Sequence, residues 1–289
     1  MFLLYLTIAF SSSLTLFLVL WLRRKTPVRF VSMVFLVFLA AAGAFLADGT
    51  GSIKVAKAVD TVKSWISSPL DEGSFLESGS QSPVIKLEES IQLDVPAVSQ
   101  LPELARGCEV TSLSMLLKHA GVKVDKLELA DQIYKNPEQR TVVGGVIHYG
   151  HPNEGFIGNM YTHGEHGLGV YHKPIADLAG KFLPGRIRDL TGADFDELKI
   201  PLSDGRPVWI ITNTRYKKLD SSEFEKWHTP QGEVMVTYRE HSVLLTGYDS
   251  KYVYFNDPLT GQKNKKAPIA DFKEAWVQMG RQAVTYLPL

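Results

Sequence analysis

The chain has 289 residues, 45% of them hydrophobic and 21% charged, with 31 Lys and Arg balancing 31 Asp and Glu. That length holds one soluble domain with a real core plus an accessory segment, and a balanced charge without a basic helix interleaved with aromatics argues against nucleic acid as a partner. The single cysteine, Cys108, cannot form an internal disulfide, so its thiol is either a buried filler or chemistry.

From Phe2 to Leu22 no residue is charged, and the run is rich in Leu, Phe, Ile and Val. As a helix, that length crosses a bilayer. Arg23, Arg24, Lys25 and Arg29 follow, then a second uncharged stretch from Phe30 to Ala47. The pattern predicts a two-helix membrane hairpin over 1–48, with spans at about 2–22 and 30–47. The basic connection belongs in the cytoplasm, which places everything after Asp48 on the extracellular side. A rival reading takes Arg23 to Ala47 as an internal signal sequence, with Ala40 to Gly43 as the small residues before a cleavage point; it too delivers the rest of the chain outside.

Residues 49–88 become rich in Ser, Gly, Glu and Pro with little periodicity and read as a linker. Alternation over Ile91–Val95, ended by Pro96, predicts the first strand of a folded domain over 89–289. The spacing of Val110, Leu113, Leu116 and Leu117 predicts a helix over Glu109–Ala120, stopped by Gly121, with Cys108 in its first turn. A second helix is expected over Asp125–Tyr134 with Asp125 as its N-cap. The glycine- and histidine-rich stretch 136–173 reads as a long surface loop. Beyond it, Pro207–Thr212, Glu233–Tyr238, Ser242–Tyr248 and Tyr252–Asn256 are β-branched and aromatic runs, most simply one antiparallel meander. A helix followed by a sheet is an α+β order.

A cysteine at a helix N-terminus meets uncapped N–H groups and the positive end of the dipole, both of which favour thiolate. A nucleophile there needs a histidine within reach. His241, at the start of the run continuing through Ser242–Tyr248, is the best candidate, and the next strand returns antiparallel to bring Asp257 beside it. A carboxylate in that place holds the imidazole in one tautomer. Gln100, eight residues before Cys108, offers side-chain N–H donors to the oxygen of a tetrahedral intermediate, with the Cys108 backbone N–H completing the hole.

The segments LDVPAVSQLPELARGCEVTSLSMLLKHAG, EHSVLLTGYDSKYVYFNDPLTG and FKEAWVQMGRQAVTYLP, with GFIGNMYT, GVYHKPIADLAG and GRPVWIIT between them, resemble the peptidase C39-like family of bacterial, mostly Gram-positive, cell-surface proteins, and within it the YvpB-like branch. The resemblance implies a papain-like α+β fold in which Cys108 is the nucleophile, His241 the general base, Asp257 its orienter and Gln100 the oxyanion-hole donor. No P-loop accompanies the domain, so the cytoplasmic leader cleavage of bacteriocin exporters is not implied.

His148, His151, His163, His166 and His172 crowd one region, with two H-x-x-H spacings. No zincin pattern surrounds them, so no metal and no cofactor is expected, and the loop is read as cleft lining, its glycines allowing close approach of an extended peptide. Trp227-His228-Thr229 is expected in a loop bordering the site. The expected protein is a membrane-anchored, outward-facing papain-like cysteine peptidase or peptide acyl-transfer enzyme acting on a peptide or protein substrate. The alternatives are a non-catalytic peptide- or wall-binding module and a metal-binding envelope sensor.

Overall fold

A computed structural model describes residues 87–288. The expected membrane hairpin lies outside these residues, and among them no helix is long and apolar enough to cross a membrane.

The elements run β1 (Ile91–Gln92), α1 (Cys108–His119), α2 (Lys126–Gln132), β2 (Thr141–Val143), β3 (Val146–His148), α3 (His172–Phe182), β4 (Ile187–Asp189), α4 (Phe195–Ser203), β5 (Val208–Asn213), β6 (Glu225–Thr229), β7 (Gly232–Val236), β8 (Glu240–Tyr248), β9 (Tyr252–Asp257), β10 (Gln262–Pro268), α5 (Ile269–Gln278) and β11 (Ala283–Tyr286). They form a mixed α+β fold. The main sheet has the order β10-β9-β8-β5-β11-β4, with β1 paired to β8, and a separate four-stranded sheet has the order β2-β3-β6-β7.

Helix α1 carries Leu113, Leu116 and Leu117 onto one face of the main sheet, against Trp209, Ile211, Leu244 and Val284. On the opposite face, Leu198 and Leu202 of α4 and Phe272 and Trp276 of α5 cover Val208, Ile210, Val243 and Phe255. Because side chains alternate along a strand, β5 sends Val208 and Ile210 one way and Trp209 and Ile211 the other. A central strand covered on both faces reads as an unbroken apolar run, which is how PVWIIT reads. Each large side chain buried here contributes about 1.5–3 kcal/mol of transfer free energy.

Helix α2 starts where its cap predicts: Asp125 accepts from Leu127 N at 2.8 Å and Glu128 N at 2.9 Å. It ends two residues earlier than expected, at Gln132. Helix α1 begins on Cys108 itself, after Gly107, whose added Cβ would lie 2.5 Å from Leu104 Cβ. Gly121 follows with φ +87°, a left-handed conformation suited to glycine.

Two expectations fail. The four runs do not form one meander: β5, β8 and β9 are antiparallel neighbours, but Glu233–Val236 belongs to β7, paired with β6 in the second sheet. Nor is 136–173 a structureless loop. Strands β2 and β3 form a hairpin across Gly144 and Gly145, whose φ values of +59° and +82° are those a tight Gly-Gly turn supplies. Trp227 is correspondingly a fully buried core residue of β6, packed with Tyr149, Ile157, Leu168 and Val236.

Candidate active site

The two-residue alternation decides which side chains of β8 and β9 meet. On β8, His241 falls in phase with Val243 and Leu245, and on β9 Asp257 falls in phase with Phe255 and Val253. His241 Nε2 lies 2.8 Å from Asp257 Oδ1, and both side chains are buried. The second carboxylate oxygen is held by Lys265 Nζ at 2.8 Å, the Tyr216 hydroxyl at 2.9 Å and the Thr260 hydroxyl at 2.9 Å, while Leu259 N donates to Oδ1 at 3.0 Å. Burial pushes the Asp257 carboxyl up. The hydrogen bond and charge of His241, with Lys265 and Tyr216, outweigh it and hold Asp257 well below the usual carboxylate range. An ionised Asp257 on Nε2 fixes the proton there and leaves Nδ1 as the ring nitrogen that can accept one.

Glu240 and Ser242 occupy the other phase of β8, the side of α1. The Ser112 hydroxyl donates to Ser242 O at 3.2 Å, and Glu240 reaches the first turn of the helix. Here Cys108 Sγ, a Glu109 carboxylate oxygen and a Glu240 carboxylate oxygen all lie within 4.8 Å of one another. Cys108 Sγ donates to Glu109 Oε2 at 3.2 Å, and Val170 N donates to Glu109 Oε1 at 2.7 Å. Gly169 makes this crowding possible, since a Cβ there would sit 2.1 Å from Glu109 Oε1 and 2.8 Å from Glu240 Oε2.

This neighbourhood reverses the expected state of the thiol. Burial, then the charges of Glu109 and Glu240, push Cys108 well above an ordinary thiol, against a smaller opposing contribution from the Ser242 backbone N–H. The helix terminus favours thiolate, but burial and two adjacent carboxyl groups weigh more. Burial likewise raises Glu109 to about 7, and burial with the charge of Glu109 raises Glu240.

Cys108, His241, Gln100 and Glu240 line one cavity of about 240 Å³, together with Arg106, His163, Gly167 and Leu168. All three of the cysteine, histidine and glutamine expected from sequence thus face a common space, and Asp257 stands behind the histidine. Among the described residues, however, no hydrogen bond links Cys108 to His241. Gln100 Nε2 donates to Leu104 O and Ala105 O, both at 3.1 Å, and its buried Oε1 has no partner. Its amide donors are therefore committed to the turn before α1. Cys108 N–H is better placed, because Gly107 at the N-cap provides no side-chain hydrogen bond to the first turn.

The crowded histidines separate. The His148 ring lies tilted against that of His228 with centroids 5.4 Å apart, His151 Nδ1 accepts from Asn153 N at 3.1 Å, and His172 Nδ1 lies 2.5 Å from Asp189 Oδ2. Of these residues His163 lines the cavity. Sequence reasoning passed over Glu109, Glu240, Tyr216 and Lys265. Two of them are chain neighbours of Cys108 and His241, so an acid beside each reactive residue was a visible signal. Tyr216 and Lys265 had none.

Fold and cavity together define an α+β protein that brings a thiol, a carboxylate-held imidazole and a buried acid to one cavity, with a second buried acid beside the thiol. The sequence profile of the Peptidase_C39 like family matches residues 92–284, and the chain belongs to that family. It is 46% identical over 194 residues to the uncharacterized protein YvpB of Bacillus subtilis (strain 168), covering 66% of this chain and 74% of that one. It is also similar to the crystal structure of a Bacillus anthracis protein named for its likeness to the C39 peptidases, with a TM-score of 0.65 and 49% identity over 70% of this chain and 99% of that one.

Proposed function

We propose that this chain is a cysteine peptidase, or a peptide acyl-transfer enzyme, with Cys108 as nucleophile and His241 as general base. The observation that carries the reading is the placement of Cys108 and His241 on the wall of one cavity, with His241 buried against an ionised Asp257. In the first step the thiol leaves Glu109, gives its proton to His241 Nδ1, and the sulfur attacks the peptide carbonyl carbon. Negative charge on the carbonyl oxygen is met by the Cys108 backbone N–H, and by Gln100 once its amide releases the Leu104 and Ala105 carbonyls. The imidazolium then protonates the leaving amine, and water, or an acceptor amine, takes the acyl group from sulfur. Asp257 stays ionised throughout and keeps His241 oriented, with Lys265 and Tyr216 holding Asp257.

The anchor belongs to the same proposal. The uncharged runs 2–22 and 30–47, joined by a basic loop, support a membrane-held enzyme with its domain outside and peptides of the cell envelope within reach.

The test is alkylation of Cys108 by a thiol-directed electrophile, followed by mass spectrometry across pH. An active site alkylates faster than a free thiol in the presence of the imidazole, and His241→Ala slows it. Equal rates in the two proteins would remove the general base. A second reading, a peptide-binding module without turnover, is favoured by the thiol's hydrogen bond to Glu109; it predicts slow alkylation unaffected by His241→Ala and retained binding of peptides in the cavity.

A further inference from the structure

Glu109 and Glu240 are not used by the peptidase steps, and among the described residues neither has a cationic partner. Glu240 is 9% exposed, its Oε1 has no hydrogen-bond partner, and it lines the same cavity as Cys108. Arg106, also on that wall, spends its guanidinium on the carbonyls of Asn159 and Thr162. Two buried acids, one with an orphaned oxygen, next to a thiol make a donor set that a cation would satisfy.

We propose that Cys108 Sγ, Glu109 and Glu240 form a site for a borderline-soft divalent cation of the zinc type, reached through the cavity. The donor set is one sulfur and two carboxylate oxygens, a combination that zinc accepts. With Zn–S near 2.3 Å and Zn–O near 2.1 Å, the edge of a tetrahedron is about 3.5 Å, and the Cys108 Sγ to Glu109 Oε2 separation is already 3.2 Å. The other ligand atoms lie within 4.8 Å, so Glu240 closes in by no more than about 1.3 Å to reach that edge. Gly169 leaves room for both carboxylates. Binding releases the thiol proton, and any proton that Glu109 and Glu240 hold, to solvent, and water on the cavity side fills the fourth position. The ion ties up the sulfur lone pair, so an enzyme working through Cys108 is silent while the metal is bound. That consequence rests on the peptidase reading; the site does not.

Cobalt(II), a spectroscopic stand-in for zinc, is titrated into the purified full-length chain after chelator treatment. The expected result is one equivalent bound, with a thiolate-to-cobalt charge-transfer band in the near ultraviolet that is absent in Cys108→Ser. Glu240→Gln and Glu109→Gln, which keep side-chain shape, each weaken cobalt and zinc binding by about tenfold or more, while His241→Ala and the pair His148→Ala with His228→Ala leave it unchanged. Charge transfer lost in His241→Ala but kept in both Gln variants would overturn the assignment in favour of a cysteine–histidine pair. Binding without the band, or with unchanged affinity in Glu240→Gln, equally overturns it. The readout needs no turnover, so a chain that binds cobalt this way, yet whose metal-free Cys108 alkylates at the same rate with and without His241, refutes the peptidase reading and leaves the site standing.

Discussion

Lys265 Nζ lies 2.8 Å from Asp257 Oδ2, while His241 takes the other oxygen of the same buried carboxylate. The strand pairing explains it: β10 turns back along β9, and a register shift between Gln262 and Lys265 brings Lys265 opposite Phe255, close enough to reach the end of β9. The carboxylate is thus clamped from both sides. Replacing Lys265 with Met removes a hydrogen bond between charged groups and is expected to cost about 1.5–3 kcal/mol. Urea unfolding followed by tryptophan fluorescence measures it, and an unchanged midpoint contradicts the clamp.

Asp257→Asn keeps the shape but removes the charge that sets the His241 tautomer. On the peptidase reading, kcat falls by on the order of 10²–10⁴ with a smaller change in KM. Steady-state kinetics on any peptide that the wild type cleaves separates the two. A change confined to KM points to a binding role instead.

Asp257 also sets an acid limit on stability. Its carboxyl is held below the usual range in the folded protein, whereas in the unfolded chain it titrates near about 3.9. Such a group stabilises the fold fully above the unfolded value, and the contribution is lost as pH falls toward the folded value. Urea midpoints measured from pH 6 downward are expected to drop below about pH 4, and to drop less in Asp257→Asn. Parallel curves for the two proteins would assign acid unfolding to other groups.

Gly169→Ala places a Cβ against the oxygens of both Glu109 and Glu240, at 2.1 Å and 2.8 Å. The carboxyl groups must separate, at a cost of about 1–3 kcal/mol. Thermal unfolding reads the loss, and thiol alkylation reads the accompanying change at Cys108. Gly180→Ala, where an added Cβ meets nothing within 4 Å, serves as the control and is expected to be neutral or slightly stabilising within a helix.

Trp276 is fully buried, packs edge-on to Phe195 at 5.6 Å and donates Nε1–H to Gln282 O at 3.0 Å. Truncation to Ala is expected to cost about 3–5 kcal/mol, visible as a lower denaturant midpoint at similar slope. A loss below 1 kcal/mol would mean that α5 does not anchor the far face of the sheet.

The sequence carried what is local. Apolar spacing placed α1, Asp125 announced the start of α2, and turn residues around β-branched runs marked β5, β8 and β9, because caps, periodicity and turns act within a few residues. The hairpin at Gly144-Gly145 was also legible, and the surrounding glycine and histidine content obscured it. Strands β4, β10 and β11 were not: QKNKKAP has no apolar alternation, and its strand conformation comes from pairing with β9.

Cys108, His241, Asp257 and Gln100 could be named from chain order and resemblance, and the choice of α+β class needed nothing more. Only the tertiary structure put Glu240 beside Glu109 across 131 positions of chain, split β6 and β7 into a second sheet, and turned the thiol's hydrogen bond toward an acid rather than toward His241. A helix terminus is a local field that sequence reveals. The state of Cys108 depends instead on burial and on charges brought close by strand register, and both exist only once the chain has packed.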